Sequence, residues 1–379
     1  MPPPAGEYVR RFQWMSELGT APGDAGATMA ETCTLVTTAA GLAAVVAAVE
    51  DGGAAAIDCE TTGLDPGADR VRLLQVATPR GTFVIDLFAL ADPAAALAEL
   101  FEALGKVTAI GHRLTFDLAF LAPLGFTPGA VFDTLVVAQV IDFGTEVREG
   151  ARRRFRLADV AKRFLGRDLD KAEQTSDWAR AALTPNQLAY AAADAAVLLP
   201  LADRLREVLA QTPALKPTVE LEMRALPGIA WAGPVRVDAA AWQALADAAG
   251  VEARRLAEEM NAVAPKGGGL FDEGWNWNSP EQVKAAFATV GITLANTDDA
   301  TLAAVGHPLA ALLRDYREAG KRAGTYGRAW LTKHARGGAV RPSWHPLGAG
   351  SGRMSCSDPS LQNIPRGLEY RRCFAASPG

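Results

Sequence analysis

Cysteine is scarce. Cys33, Cys59, Cys356 and Cys373 are scattered along 379 residues with no paired spacing, which argues against a disulfide framework or a zinc module and fits a reducing cytoplasm. No apolar run is long enough to span a membrane, so no membrane association is expected. There is no internal repeat and no long low-complexity segment. Residues 1–30 are rich in Pro, Gly and Ala through Thr28 and lack the basic-then-apolar layout of a secretory leader; they are expected to form a flexible tail. What remains is 49% hydrophobic and 21% charged, ordinary for a globular chain of two or three domains. The net charge of −5 hides an asymmetry. Residues 314–379 carry 12 Lys+Arg against 4 Asp+Glu, a balance of +8 that leaves −13 for the rest. A basic stretch on an acidic chain is a candidate footprint for a polyanion, and equally a solvated helix face.

Strand patterns come first. Ala54–Cys59, Val71–Thr78 and Thr82–Leu87 with Gly-containing connections predict a meander, and Val107–Gly111 predicts a fourth strand. Val71, Leu73 and Gln75 fall on one side of the second. Helical spacing marks Pro93–Leu104, Thr115–Leu124, Phe132–Ile141, Leu157–Leu165 and Thr184–Leu209. Strands followed by strands mixed with helices give an α/β layer architecture, a mixed sheet flanked by helices. Thr212, Pro213 and Pro217 punctuate the chain, which sets a domain at 31–212 and a second, mainly helical one at 213–379. Its helices are predicted at Val219–Ala230, Ala239–Ala262, Pro280–Val290 and Pro308–Arg336, with a Gly267-Gly268-Gly269 break and short β-like pieces over Ala339–His345.

Five side chains suggest chemistry. Asp58 and Glu60, two apart at a strand end, share one face. Tyr190 and Asp194, four apart in a helix, share another. Asp117 opens an apolar helix. Each piece alone is commonplace. Acids that gather in one place repel unless cations separate them, and paired divalent metals in a carboxylate cage are a standard device for phosphodiester cleavage.

In their flanks these residues resemble the DEDD 3′-5′ exonucleases. Ile57-Asp58-Cys59-Glu60-Thr61-Thr62-Gly63-Leu64 is similar to the first motif, His112 to Asp117 to the second, and Tyr190-Ala191-Ala192-Ala193-Asp194 to the third, in its tyrosine subclass. Leu169 to Trp178 resembles the segment that precedes the third motif. The resemblance covers about Thr34 to Leu209. It implies a ribonuclease-H-like fold and metal-dependent removal of nucleotides from 3′ ends. Asp58, Glu60, Asp117 and Asp194 would hold two Mg²⁺ or Mn²⁺ ions, and Tyr190 would orient the attacking water. Thr61 and Leu64 would touch the terminal nucleotide, although for Leu64 alone a core position is the plainer reading. The family's second motif usually has Asn where this chain has Arg113, a cation that could meet the substrate phosphates. His112, as a lone histidine, reads as a structural hydrogen-bonder. The run Arg152-Arg153-Arg154-Phe155-Arg156 reads as a backbone contact or, equally, a solvated loop.

From about Val219 the chain resembles the thumb and first palm strands of the DNA polymerase I family (family A). Asn278-Ser279-Pro280-Glu281-Gln282-Val283 is similar to the thumb tip, and Tyr316 to Tyr326 to the long thumb helix. Ser351-Gly352-Arg353-Met354-Ser355-Cys356-Ser357-Asp358-Pro359-Ser360-Leu361-Gln362-Asn363-Ile364-Pro365 is the most specific match. The resemblance implies DNA as partner, through Lys321, Arg322, Arg328, Arg353, Asn363 and Arg371, with Lys333 on the same helical stretch. The family's catalytic palm and fingers motifs do not occur before Gly379, and there is no room upstream for a 5′ nuclease domain. The expectation is therefore a proofreading-type exonuclease without polymerase activity of its own, whose region after Gly337 is poorly ordered or aggregation-prone. Alternatives are half of a split polymerase that needs a complementary chain, a DNA-binding module with an inactive nuclease domain, and an RNA-trimming exonuclease.

Overall fold

The computed structural model describes residues 9–13, 32–142, 154–266 and 274–375. Most of the expected tail, Arg152 and Arg153 of the basic run, and the triple glycine lie outside them. The chain divides into two compact units, Met1–Ala232 with Trp344–Ser355, and Gly233–Ser343 with Cys356–Gly379.

The first unit is built on seven strands: β1 (Val9–Gln13), β2 (Thr32–Val36), β3 (Ala54–Thr61), β4 (Val71–Thr78), β5 (Gly81–Asp86), β6 (Thr108–Gly111) and β7 (Ala130–Asp133). Its helices are α1 (Ala39–Glu50), α2 (Pro93–Lys106), α3 (Leu114–Leu121), α4 (Thr134–Asp142), α5 (Leu157–Leu165), α6 (Pro185–Ala196), α7 (Leu198–Gln211) and α8 (Lys216–Ala230). The sheet order is β1-β2-β5-β4-β3-β6-β7. The antiparallel meander β3-β4-β5 sits at its centre, extended by parallel β6 and β7 on one side and parallel β2 on the other. This is the mixed α/β sheet the sequence predicts. All eight residues of β4 are buried, so its partial alternation reflects a central strand covered on both faces rather than a half-exposed one.

Four local expectations need correction. Val9–Gln13 lies in the segment expected to be a tail, yet pairs antiparallel with β2. Phe132 belongs to β7, and the helix starts only at Thr134, because Asp133 caps it. The single helix expected over Thr184–Leu209 is two, parted at Val197. Pro200 is the reason: it has no N–H for the Ala196 carbonyl and can only sit in a first turn. The expected boundary at Thr212 falls too early. Val219, Met223 and Leu226 of α8 are buried in the first unit's core, which pulls α8 into that unit and moves the division to Ala232/Gly233.

Arg72 on β4 ties this unit together. Its guanidinium forms a fork with Asp86, at 2.9 and 3.0 Å, and donates to the carbonyls of Arg180 (2.5 Å) and Ala181 (3.4 Å), just ahead of α6. The Arg72 side chain is only 3% exposed. Breaking a buried, hydrogen-bonded pair strands the other charge, typically at a cost of about 3–5 kcal/mol. Arg72→Met is expected to lose that much unfolding free energy for the first unit in urea denaturation. A loss under about 1 kcal/mol, the value of an exposed pair, would contradict it.

The second unit comprises β8 (Val235–Val237), α9 (Ala239–Val263), α10 (Pro280–Thr289), α11 (Asp299–Ala303), α12 (Pro308–Gly324), α13 (Arg328–His334), β9 (Ala335–Arg336), β10 (Ala339–Val340) and α14 (Leu368–Arg372). One of its cores is aromatic. Trp242 is fully buried, stacks on Trp330 at 4.3 Å, meets Tyr370 edge-on at 5.0 Å and donates its Nε1–H to the Tyr326 carbonyl at 2.6 Å. The other gathers Met260, Trp277, Phe287, Leu309 and Leu313. The helix expected over Pro308–Arg336 breaks at Thr325–Gly327. Tyr326 turns inward there, its hydroxyl donating to the Asn363 carbonyl. Gly327 is required at the break, since a Cβ would run into the Ala323 carbonyl oxygen. The region after Gly337 departs from the disorder expected of it. Val340, Tyr370 and Cys373 are buried with Trp242, and Phe374–Ala375 pairs with β8. Apolar side chains that fit an existing aromatic core stabilise segments too short to fold alone.

Candidate active site

β3 delivers the first two acids. Small Ala55 and Ala56 keep it close to its neighbours, and its pairing with β4 shifts between Glu60 and Thr61. A bulge at that place re-aims the strand end. Asp117 stands in the first turn of α3 and is 3% exposed. Entry into α3 is fixed by Asp133, a fully buried acid at the end of β7. Its carboxylate accepts from the backbone N–H of Arg113 (3.1 Å) and Leu114 (2.7 Å), and from Leu135 (2.9 Å) and Val136 (3.3 Å) at the start of α4. Arg113 sits in the left-handed region, φ 69°. Asn tolerates that conformation far better than Arg, which gives a backbone reason for the residue usual there.

Tyr190 and Asp194 come from α6, which lies across β3, β4 and β5 on small residues including Ala191 and Ala195. A capping box of Thr184 and Gln187 starts the helix. The Gln187 amide also donates to Ser176 Oγ (2.7 Å) and the Asp177 carbonyl (3.2 Å), anchoring the Leu169–Trp178 segment. Trp178 packs 6.4 Å from the Tyr190 ring.

The four acids feel one another. Burial pushes the Asp58 carboxyl well above its ordinary range, and the charges of Asp117, Glu60 and Asp194 push it further. Glu60 rises to about 8, by burial and then by Asp194 and Asp117. Asp117 rises to about 7, chiefly by burial, and Asp194 is raised by burial. Burial and the nearby Asp194 raise the Tyr190 phenol, which donates to the Asp194 carboxylate and stays protonated at any physiological pH. The Cys59 thiol is bonded to Asp117. A cavity of about 380 Å³ opens beside this group, lined by Asp58, Asp194, Tyr190, Arg113 and Lys171 among others. That is within the range of small-ligand sites.

Among the described residues, no three Asp, Glu, His or Cys side chains close on a common point as a metal shell. Asp117 and Asp194 are instead engaged with the internal donors Cys59 and Tyr190. The donor set still suits hard divalent cations, since four carboxylates held in mutual repulsion are what such an ion relieves.

Other predicted residues fall as follows. The Thr61 hydroxyl donates to the Gly63 carbonyl at 2.5 Å. Leu64 is 84% exposed, so the core reading of it is overturned: it lies past the bulge, where the strand has left the sheet. His112 is partly buried in the cavity wall, 2.9 Å from both Thr134 Oγ1 and the Phe155 carbonyl, and desolvation holds its pKa down to about 4. It is a neutral structural group. Lys321 and Arg328 are exposed on α12 and α13, and Arg322 is half-buried. Arg371 and the Asn363 side chain are exposed in the second unit, while Arg353 is exposed on the Trp344–Ser355 segment of the first.

Lys171 escaped the sequence reading. Its ammonium lies 6.0 Å from the centre of the Tyr190 ring and lowers the pKa of both Glu60 and Asp194. The signal was there: it is the one cation in Leu169–Trp178, a segment tied to the helix that carries two of the site residues.

These shifts set a pH dependence. A carboxyl raised in the folded state binds more protons folded than unfolded, so stability falls as pH climbs through the folded pKa. His112 works in the opposite sense, but only below about 6.5, its unfolded value. Between pH 6.5 and 8.5, metal-free protein is therefore expected to lose thermal stability. Mn²⁺ should flatten that slope and release protons on binding. Thermal melts across this range with EDTA or Mn²⁺ read both effects; a metal-free Tm that rises with pH would contradict the clustering of the acids.

Comparison with known proteins agrees with the geometry. Residues 33–210 match the family model described as 3′-5′ exonuclease, and residues 247–379 that of DNA polymerase family A. DNA polymerase I of Aquifex aeolicus is 29% identical over 85% of this chain and 56% of its own length. That of Chloroflexus aurantiacus is 28% identical over 91% and 39%. Ribonuclease D of Haemophilus influenzae is 30% identical over 42% of the chain and 38% of its own length. Among solved structures, the POL domain of Pol1 from M. smegmatis, in complex with DNA primer-template and dNTP, matches with a TM-score of 0.67 and 25% identity, over 88% of this chain and 56% of that one. The chain thus spans from about a third to somewhat over half the length of the polymerases it matches. It belongs to the DNA polymerase I family, with its 3′-5′ exonuclease domain in residues 33–210 and polymerase family A sequence in residues 247–379.

Proposed function

We propose that this chain removes nucleotides one at a time from the 3′ end of DNA, in the manner of a proofreading exonuclease. The observation that carries the reading is the buried group of Asp58, Glu60, Asp117 and Asp194, each raised in pKa, with Tyr190 beside a cavity. The four acids would hold two Mg²⁺ or Mn²⁺ ions, which when bound supply an activated water and stabilise the leaving 3′ oxygen. Tyr190, always protonated, orients water through its hydroxyl and does not serve as a base. Lys171 and Arg113 place positive charge at the cavity wall, where a phosphodiester would lie. Thr61 and the exposed Leu64 meet the terminal nucleotide. Lys321, Arg322, Arg328, Arg353, Asn363 and Arg371 grip the DNA backbone without regard to sequence, which makes binding salt-dependent. The chain acts in the cytoplasm; no helix among the described residues is long and apolar enough to cross a membrane.

RNA is the second reading, favoured by the ribonuclease D relatives. The test is a 5′-labelled single strand of DNA or RNA with Mg²⁺ or EDTA. A one-nucleotide ladder on DNA, faster than on RNA and absent in EDTA, is expected. A faster RNA ladder would select the second reading; no ladder on either would remove both.

A further inference from the structure

Gln75 lies at the centre of the molecule's most buried strand, is 0% exposed, and neither its Nε2 nor its Oε1 has a hydrogen-bond partner. An unsatisfied buried polar atom costs about 1–3 kcal/mol, and this amide has two. An apolar residue of similar size would remove the cost, so the position calls for a reason.

Register supplies one. Gln75 stands directly opposite Asp58 on β3 and opposite Val84 on β5. Side chains that face each other across antiparallel strands have Cβ atoms about 4.5–5.5 Å apart and point to the same face. On that face, Leu73 and Val84 pack against Ala191 and Ala192 of α6. The amide is therefore enclosed between the sheet and the helix that carries Tyr190 and Asp194. Of its two in-register neighbours, Asp58 alone can accept a hydrogen bond. Glu60, opposite Leu73, lies on the diagonal.

We propose that Gln75 is a positioning residue for Asp58: in the metal-loaded site its amide donates to one Asp58 carboxylate oxygen and so turns the other towards the metal. This rests on the metal-dependent reading above. Groups that orient metal ligands commonly contribute 10–100-fold to metal affinity. The amide is costly to the metal-free fold and useful only once the acid has a cation to face, the reverse of a structural glutamine.

The test is Mn²⁺ binding to the full chain without DNA, by calorimetry, together with metal-free thermal melts, on wild type, Gln75→Met and Gln75→Asn. Met fills the same volume without the amide; Asn keeps an amide but draws it back by one methylene. Both variants are expected to bind Mn²⁺ about tenfold more weakly, and Gln75→Met is expected to melt, metal-free, at or above the wild-type temperature. Affinity within twofold of wild type in either variant overturns the proposal. So does a Gln75→Met protein that melts lower or does not fold, because the amide then serves the fold. If wild type binds no Mn²⁺, or shows no Mg²⁺-dependent exonuclease ladder, it is the functional reading that fails.

Discussion

Asp58→Asn should reduce exonuclease activity by about a thousandfold or more, while making the metal-free protein more stable at pH 8. The two effects share one cause. Asp58 is pushed up by burial and by the charges of three other acids, Asp117, Glu60 and Asp194. In the free protein an ionised Asp58 is therefore unfavourable, and a neutral amide of the same shape removes the repulsion. The same ionised oxygen is what a divalent cation needs. Metal stabilisation of a phosphoryl transition state amounts to several kcal/mol, and about 4 kcal/mol corresponds to roughly a thousandfold in rate. The measurements are single-turnover degradation of labelled DNA in Mg²⁺ and a melt in EDTA. An active Asp58→Asn protein would remove Asp58 from the site. An inactive one that melts lower would mean that the substitution damaged the fold, and the Mn²⁺-dependent melt of wild type would then have to carry the assignment.

The site's acids were legible because each sits in a short motif whose flanks are themselves constrained. Ile57 and Cys59 are buried on β3, and Ala191, Ala192 and Ala195 must be small for α6 to lie on the sheet. The meander was legible because its three strands follow one another with Gly-containing connections. The residues that hold the acids in place were not. Arg72 finds Asp86 14 positions later and Arg180 108 positions later, and no local pattern announces such a contact. Asp133 reads in sequence as a residue inside the helix expected over Phe132–Ile141, with no hint that it caps two. Gln75 was expected to share a face with Val71 and Leu73; it does so with Leu73, whereas the bulge sends Val71 to the other core with Leu74 and Val76, and the register that sets Gln75 opposite Asp58 exists only in the folded sheet. Helix α1 was missed because Ala39–Glu50, AAGLAAVVAAVE, is apolar nearly all round and shows little periodicity. The break at Val197 was missed although Pro200 marks it locally; the break at Tyr326 was missed because a tertiary partner, the Asn363 carbonyl, places it rather than propensity.

Asp133→Ala is expected to be the most damaging single change to the first unit, at about 4 kcal/mol or more. Asp133 is fully buried, and its two oxygens take four backbone N–H groups, from Arg113, Leu114, Leu135 and Val136. Helix N-termini leave such donors without intrahelical partners, and losing a single cap usually costs about 1 kcal/mol. Here two helices lose theirs together in a place water does not reach, where each orphaned donor costs about 1–3 kcal/mol. Burial alone raises the Asp133 pKa while the four N–H groups lower it, so the carboxylate is in effect solvated by the backbone. Asp133→Asn should be milder. Oδ1 serves three of the four donors, so an amide oxygen at that position retains Arg113, Leu135 and Val136, and the amide nitrogen fails only Leu114. Activity should follow the same order, because Arg113 and Leu114 lead into the turn that holds Asp117. Urea denaturation and exonuclease rates on both variants read the gradient. Equal losses for Ala and Asn would show that charge rather than capping geometry matters at this position, and a loss below about 1 kcal/mol for Ala would show that the two helix starts are held by something other than Asp133.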